Sequence, residues 1–354
     1  RGMERRNLAL LCAGVLCFWL FALAVGTAQG AGLRVAIGGT GPAVQADAPA
    51  VLAAAPTNSG LQLECRAAIL MEPETGRVLY EKAPDERMPI ASITKLMTLL
   101  LTFEAVHDGR LTLDTPVTAS EHASRMGGSQ IWLEPGEQFT LDEMIRAICV
   151  SSANDAAVAV AELLGGSEQG FVQKMNDRAA RLGMEHTVFC NACGLDTEGH
   201  LSTARDVAVM SRTILTTCPE VLHYTGIWTD ALRGGQTQLV NTNKLLRRYN
   251  GITGLKTGTT SGAGVCISAS ASRDGLDLIA VVLGAPSSKD RFEAATALLD
   301  YGFGAYRAAP LPAVENRPLL IKVKGSAEQN VPLDYSALPE HILLRRDAPA
   351  ELTA

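Results

Sequence analysis

The sequence predicts an α+β domain whose sheet is assembled from the two ends of one long region, with helices between them. Three observations predict it. Strand patterns punctuated by turn residues occur at 67–71 and 77–81, and return only from Thr253 to Gly284. Helical spacing of apolar residues dominates from Ser92 to Thr216. A last helical pattern at 288–301 follows the late strands and can pack on them. Strands at both ends with helices between imply α+β layers.

The chain has 354 residues, enough for one domain with a large core plus accessory segments. Arg5 and Arg6 precede an unbroken apolar run, 8–25, and Gly26-Thr-Ala28 supplies small residues for cleavage. This reads as an export signal over residues 1–28, with an uncleaved membrane anchor as the alternative. Arg1-Gly2 ahead of Met3 reads as an upstream extension. The formal net charge is −6, and removal of the signal, itself +2, leaves −8. An acidic body argues against nucleic acid as a partner. Residues 29–60 are rich in Ala, Gly and Pro without a sustained period and read as a flexible tether.

The catalytic region spans 61–307 and opens with a hairpin turning at Glu74-Thr-Gly76. Ser92 then opens a buried helix, because Leu96, Leu99, Leu100 and Phe103 recur at helical spacing, and an ordinary N-cap there is the alternative to a catalytic role. Lys95 stands one turn on, so its amine returns to the Ser92 face. Desolvation favours the neutral amine, and a neutral amine beside a hydroxyl can take its proton and make a nucleophile. An amphipathic helix at 141–150 and a second at 155–164 leave Ser152 and Asn154 in the connection, offering a hydroxyl for proton relay and an amide that donates and accepts.

Residues 251–258, Gly-Ile-Thr-Gly-Leu-Lys-Thr-Gly, read as a short strand, followed by strands at 265–271 and 276–283 joined at Asp274-Gly275. Lys256 and Gly258 alternate to one face, where the absent side chain of Gly258 leaves room for a substrate backbone. A cation, the Thr257 hydroxyl and an open edge suit an anionic peptide end.

Ser92-Ile-Thr-Lys95, Ser152-Ala-Asn154 and Lys256-Thr-Gly258, in that order, form the signature of active-site-serine enzymes that acylate on penicillin or on D-Ala-D-Ala peptides. From about Gln62 to Tyr306 the chain resembles the serine D-alanyl-D-alanine carboxypeptidases of the low-molecular-mass penicillin-binding proteins, spore-former type. Further strings carry the likeness: Met71-Glu-Pro-Glu-Thr-Gly-Arg-Val-Leu-Tyr80, Gly194-Leu-Asp196 and Leu201-Ser-Thr-Ala-Arg-Asp206. The resemblance implies the penicillin-recognising fold, a five-stranded antiparallel sheet flanked by helices with a helical subdomain. It also implies Ser92 as the acylated nucleophile, Lys95 as its base and Ser152 as the proton relay. Asn154 would hold substrate, Lys256 and Thr257 would orient the terminal carboxylate, and the N–H groups of Ser92 and Thr259 would form the oxyanion hole. Arg291 matches a family arginine near the carboxylate pocket.

The implied activity is removal of the terminal D-Ala from peptidoglycan stem peptides, inhibited by β-lactams, in an exported protein at the cell wall or the outer face of the cytoplasmic membrane. D,D-endopeptidase, serine β-lactamase and a catalytically silent wall-binding homologue are the alternatives. No cofactor or metal is implied. Thr259 follows Lys-Thr-Gly where some relatives carry His, and Asn191-Ala-Cys-Gly-Leu195 replaces the usual Asn-Pro-Asn-Gly-Leu. Cys190 and Cys193 have the spacing of a zinc half-site but no second pair; local packing or a short-range disulfide is the expectation. Cys149 and Cys266 fall in apolar patterns and read as buried thiols. Residues 308–354 carry strand-like runs at 319–324, 329–333 and 342–345, read as the start of a β-rich domain in which the chain stops.

Overall fold

The computed structural model describes residues 60–310, 320–322, 330–332 and 341–347. The export signal and nearly all of the tether lie outside the described residues. The sheet consists of β1 (Ala67–Met71), β2 (Val78–Lys82), β3 (Ile252–Thr260), β4 (Gly264–Arg273) and β5 (Leu276–Ala285). Its order is β2-β1-β5-β4-β3, antiparallel throughout. The first strands of the domain therefore pair with the last, Ala67 opposite Leu283.

Burial on both faces explains why β1 and β5 read as nearly continuous apolar runs. Ile69, Met71, Ile279, Val281 and Leu283 face one core, while Ala68, Leu70, Leu278, Ala280 and Val282 face another. Both faces of the sheet are covered, so both sets are buried. The second core is closed by α6 (Ser288–Ala305) through Leu298, Leu299 and Phe303. The first is closed by the helical region, comprising α1 (Lys95–His107), α2 (Leu141–Arg146), α3 (Asn154–Gly165), α4 (Glu168–Arg181) and α5 (Ala204–Thr217).

Helix α1 is apolar nearly all round and runs through that first core, with Leu96, Leu99, Leu100 and Phe103 at most 1% exposed. Truncating Phe103 to Ala would cost about 3–5 kcal/mol in lost burial and cavity formation. Helix α2 begins at a capping box in which the Thr140 hydroxyl accepts from Glu143 N–H.

The C-terminal strand-like runs form two pairs. Tyr306–Pro310 pairs antiparallel with His341–Arg345 in the same compact unit as the sheet. Leu320–Lys322 pairs with Asn330–Pro332 in a separate unit.

Three local readings need correction. Ser92 does not open the helix: it lies in a 3-10 turn, Ala91–Thr94, and α1 starts only at Lys95 with no side-chain cap. The helix expected over 141–150 ends as α-helix at Arg146 and widens into a π turn, Ala147–Ser151. No disulfide forms among the described cysteines; Cys65, Cys149, Cys190, Cys193, Cys218 and Cys266 are all free. The Cys190 thiol instead faces the carbonyl of Glu198, and Cys193 is fully buried.

Candidate active site

The turn that carries Ser92 is shaped by its neighbours. Ala91 takes φ +49°, a left-handed conformation that costs energy for a residue with a Cβ. Gly194 occupies the space beside it: a Cβ on Gly194 would lie 1.9 Å from the Ala91 carbonyl oxygen. On the other side Gly258 of β3 presses against the turn, where a Cβ would come within 2.9 Å of the Ser92 nitrogen. The side chain missing at Gly258 therefore makes room for the Ser92 turn, where the sequence reading gave that room to a substrate backbone.

Lys95 is completely buried at the start of α1. Its Nζ lies 2.8 Å from Ser92 Oγ, 2.6 Å from Asn154 Oδ1 and 2.8 Å from the Cys193 carbonyl oxygen. Three acceptors match the three protons of an ammonium. Burial nonetheless pulls its pKa down to about 8, opposed by the nearby Cys193 and Asp155. The amine thus releases its proton far more readily than an exposed lysine.

Asn154 is held from three directions. Its N–H donates to Ser129 O at 2.7 Å and its Nδ2 to Gly127 O at 2.6 Å, while Oδ1 accepts from Lys95. The loop that receives it is fixed in turn by the buried Asp155 carboxylate, which accepts the N–H groups of Ile131 and Leu133.

Ser152 follows the π turn at φ +62°, ψ +32°. In that left-handed conformation its Oγ accepts from Lys256 Nζ at 2.8 Å, so the strain sits at a hydroxyl paired with a buried lysine. Lys256, also completely buried by its surroundings, donates further to its neighbour Thr257 O at 3.0 Å. Burial, then the positive charges of Lys95 and Arg291, hold its pKa well below the ordinary lysine range. Thr257 pairs its hydroxyl with Thr242 Oγ1 at 2.6 Å, and the Thr259 hydroxyl donates to Gly258 O.

Arg291 lies on α6 and donates to Cys266 O at 3.2 Å, to Gly258 O at 3.4 Å and to Ser288 Oγ at 3.1 Å. Among the described residues its buried Nε has no partner, and burial lowers its pKa to about 10. It therefore stands behind Gly258, adding positive potential through the strand.

The structure brings Ser92, Lys95 and Asn154 into one hydrogen-bonded group and Ser152 and Lys256 into another, with Gly258 against the turn. Three contributors escaped sequence reasoning: the Cys193 carbonyl, the Thr242 hydroxyl and the Gly127-Gly128 loop around Asn154. Only the last had a signal, the paired glycines that mark a tight loop. A Cβ on Gly128 would fall 2.7 Å from Asn154 Nδ2. Metal-ligand residue types converge away from this cluster, where His107, Cys218 and Glu220 come within 4.8 Å of one another.

The D-alanyl-D-alanine carboxypeptidase family matches residues 52–287. The chain belongs to this family. D-alanyl-D-alanine carboxypeptidase DacF of Bacillus subtilis is 43% identical over 291 residues, covering 81% of this chain and 74% of that protein. Penicillin-binding protein D2 of Listeria monocytogenes, solved in its cefotaxime-bound form, is 35% identical with a TM-score of 0.65; the match covers 70% of this chain and 100% of that one. Penicillin-binding protein 6B of Escherichia coli superposes with a TM-score of 0.70 at 31% identity, over 83% of this chain and 88% of that one. This carboxypeptidase therefore has the penicillin-binding, α+β serine hydrolase fold, and its activity is that of a serine-type D-Ala-D-Ala carboxypeptidase.

Proposed function

We propose that this chain removes the terminal D-Ala from peptidoglycan stem peptides through an acyl-enzyme on Ser92. The observation that carries the reading is the 2.8 Å contact between Lys95 Nζ and Ser92 Oγ in a buried setting that favours the neutral amine. Neutral Lys95 takes the Ser92 hydroxyl proton as Oγ bonds to the carbonyl carbon of the penultimate D-Ala. The Ser92 and Thr259 N–H groups stabilise the oxyanion, an effect worth about 2.7–4 kcal/mol per donor in a comparable acyl-transfer enzyme. Collapse breaks the C–N bond, and the proton that Lys95 took passes through the Ser152 hydroxyl to the departing D-Ala amine, leaving Lys95 neutral again. Water then gives a proton to Lys95 as its oxygen bonds to the ester carbon, and Lys95 returns that proton to Ser92 Oγ as the ester bond breaks.

Asn154 aligns the substrate amide, while Lys256 and Thr257 receive the terminal carboxylate. Arg291 strengthens that attraction from behind Gly258. β-Lactams present the same kind of carboxylate and acylate the same serine.

The site works outside the cytoplasm, held near the membrane by the 8–25 segment before or instead of cleavage. The arginine pair and apolar run at the N-terminus support this.

The deciding experiment incubates the purified protein with a pentapeptide and with a cross-linked dimer, following free D-Ala by mass spectrometry. Release from the pentapeptide is expected. Cleavage of the dimer without D-Ala release would replace this reading with an endopeptidase, and loss of neither bond with rapid penicillin turnover would indicate a β-lactamase.

A further inference from the structure

His200 is 3% exposed and hydrogen-bonds neither Ser92 nor Lys95, yet it joins the two segments that fix them. Its Nδ1 accepts the backbone N–H of Cys190 at 3.1 Å. A backbone N–H can only donate, so Nδ1 carries no proton, and in the neutral ring the proton is on Nε2. Nε2 lies 2.8 Å from Thr94 Oγ1 and donates to it. Burial lowers the His200 pKa to about 4, opposed by Asp196, which keeps the ring in this neutral form. Phe189 packs edge-on against the ring, with centroids 5.7 Å apart.

The two anchor points matter because of what lies beside them. Thr94 ends the nucleophile turn and immediately precedes Lys95. Cys190 starts the loop that supplies the Cys193 carbonyl to Lys95 Nζ, the Ala192 carbonyl to Thr98 Oγ1 and Gly194 to the back of Ala91. The loop thus meets the turn at both ends, directly through Gly194 and Cys193, and through the imidazole at Cys190.

We propose that His200 is a positioning residue: by bridging Thr94 Oγ1 and Cys190 N–H, it clamps the 190–194 loop onto the nucleophile turn and fixes Lys95 against Ser92. The proposal rests on the reading of Ser92 as nucleophile and Lys95 as base. A clamp of this kind acts on the acylation step. It leaves non-covalent binding untouched, because the hydrogen bonds of His200 go to Thr94 and Cys190 and none goes to Lys256, Thr257 or Arg291.

The test measures penicillin binding and the acylation rate constant separately by stopped flow, with melting temperature as a control. Thr94→Val keeps the side chain's shape and removes the acceptor; His200→Gln removes the bridge. Each should slow acylation about tenfold with the dissociation constant unchanged. The double variant should be no slower than the worse single, since both cut the same link. Thr94→Ser, which keeps the hydroxyl, should stay within about twofold of wild type.

Unchanged acylation in folded Thr94→Val and His200→Gln would overturn the proposal, as would losses that multiply in the double variant. Should either variant fail to fold, nitrogen chemical shifts of ¹⁵N-histidine-labelled wild type still decide. A protonated Nδ1 on His200 would overturn the bridge, and a protonated Nε2 would support it. Ser92→Ala separates the two readings: covalent labelling that survives it would remove Ser92 from the mechanism whatever His200 does.

Discussion

Gly258 and Ser92 are in such close apposition that a single methyl group on Gly258 would sit 2.9 Å from the Ser92 nitrogen and 3.0 Å from the Ile90 carbonyl oxygen. Both obstacles are backbone, so neither can rotate away. The strand that carries Lys256 is therefore seated directly on the turn that carries Ser92.

Gly258→Ala should force β3 and the turn apart by a few tenths of an ångström or more. A misplacement approaching 1 Å costs on the order of 100-fold in rate, so acylation by penicillin should fall by up to that factor. The fold should survive, with a destabilisation of about 1–3 kcal/mol from overpacking. Stopped-flow acylation combined with thermal melting checks both, and an enzyme acylating at the wild-type rate would show that the contact does not set the geometry.

Acylation should depend on pH through Lys95. The active form is the neutral amine, and the pKa is lowered to about 8, so the rate should rise about tenfold per pH unit below 8 and level off above it. Lys95→Arg stays charged at every accessible pH and should fold without acylating. A rate that is flat from pH 6 to 9 would contradict the base assignment.

Asp155 supplies a second lever on the same limb. Its buried carboxylate opposes the lowering of the Lys95 pKa and also holds the Ile131 and Leu133 N–H groups. Asp155→Asn should shift the acylation limb to lower pH, because the negative charge that favoured the ammonium is gone. It should also destabilise the protein by about 1–3 kcal/mol as backbone donors lose a charged acceptor. The pH profile and a denaturant titration read the two effects independently.

Lys256 should take up a proton when substrate arrives. In the empty cleft, burial and two neighbouring cations depress its pKa; a carboxylate placed beside it reverses the balance. Binding of a free-acid peptide by an acylation-dead Ser92→Ala variant should therefore consume protons, and its C-terminal amide should consume fewer. Calorimetry in two buffers of different ionisation enthalpy measures the difference. Equal uptake by acid and amide would mean that Lys256 does not meet the carboxylate.

The fold was largely legible because its signals are local. The hairpin turning at Gly76 and the Asp274-Gly275 turn announce themselves by positive-φ residues, which the structure confirms at Gly76, Asp274 and Gly275. Helix α1 shows its apolar spacing whatever surrounds it. Ser92 was misplaced at the start of that helix for the opposite reason. Its 3-10 turn depends on Ala91 adopting a left-handed backbone beneath Gly194, a residue about a hundred positions away.

The same distinction divides the candidate site. Side chains with characteristic spacing, such as Ser92 and Lys95 or Ser152 and Asn154, can be read from order alone. The Cys193 carbonyl cannot, because every residue has a carbonyl and only tertiary placement selects one. Thr242 and the bridge through His200 are hidden for that reason too. The Cys190 and Cys193 spacing left local packing and a short-range disulfide both open, and only tertiary placement decides between them: both thiols are free.

The pairing of β1 with β5 has a consequence for how this enzyme comes into being. Ala67–Met71 cannot be sheltered until Ile279 to Leu283 has been made, so the central ladder closes only when nearly the whole domain is available. Such non-local pairing is intrinsically slow, and the early hairpin stays unpaired on one edge in the meantime. Because β3 also joins only through β4 and β5, the seat beneath Ser92 arrives in that same late event. Catalytic competence thus requires the chain through Leu283 to be present, and a nascent chain that lacks this segment is expected to be inert.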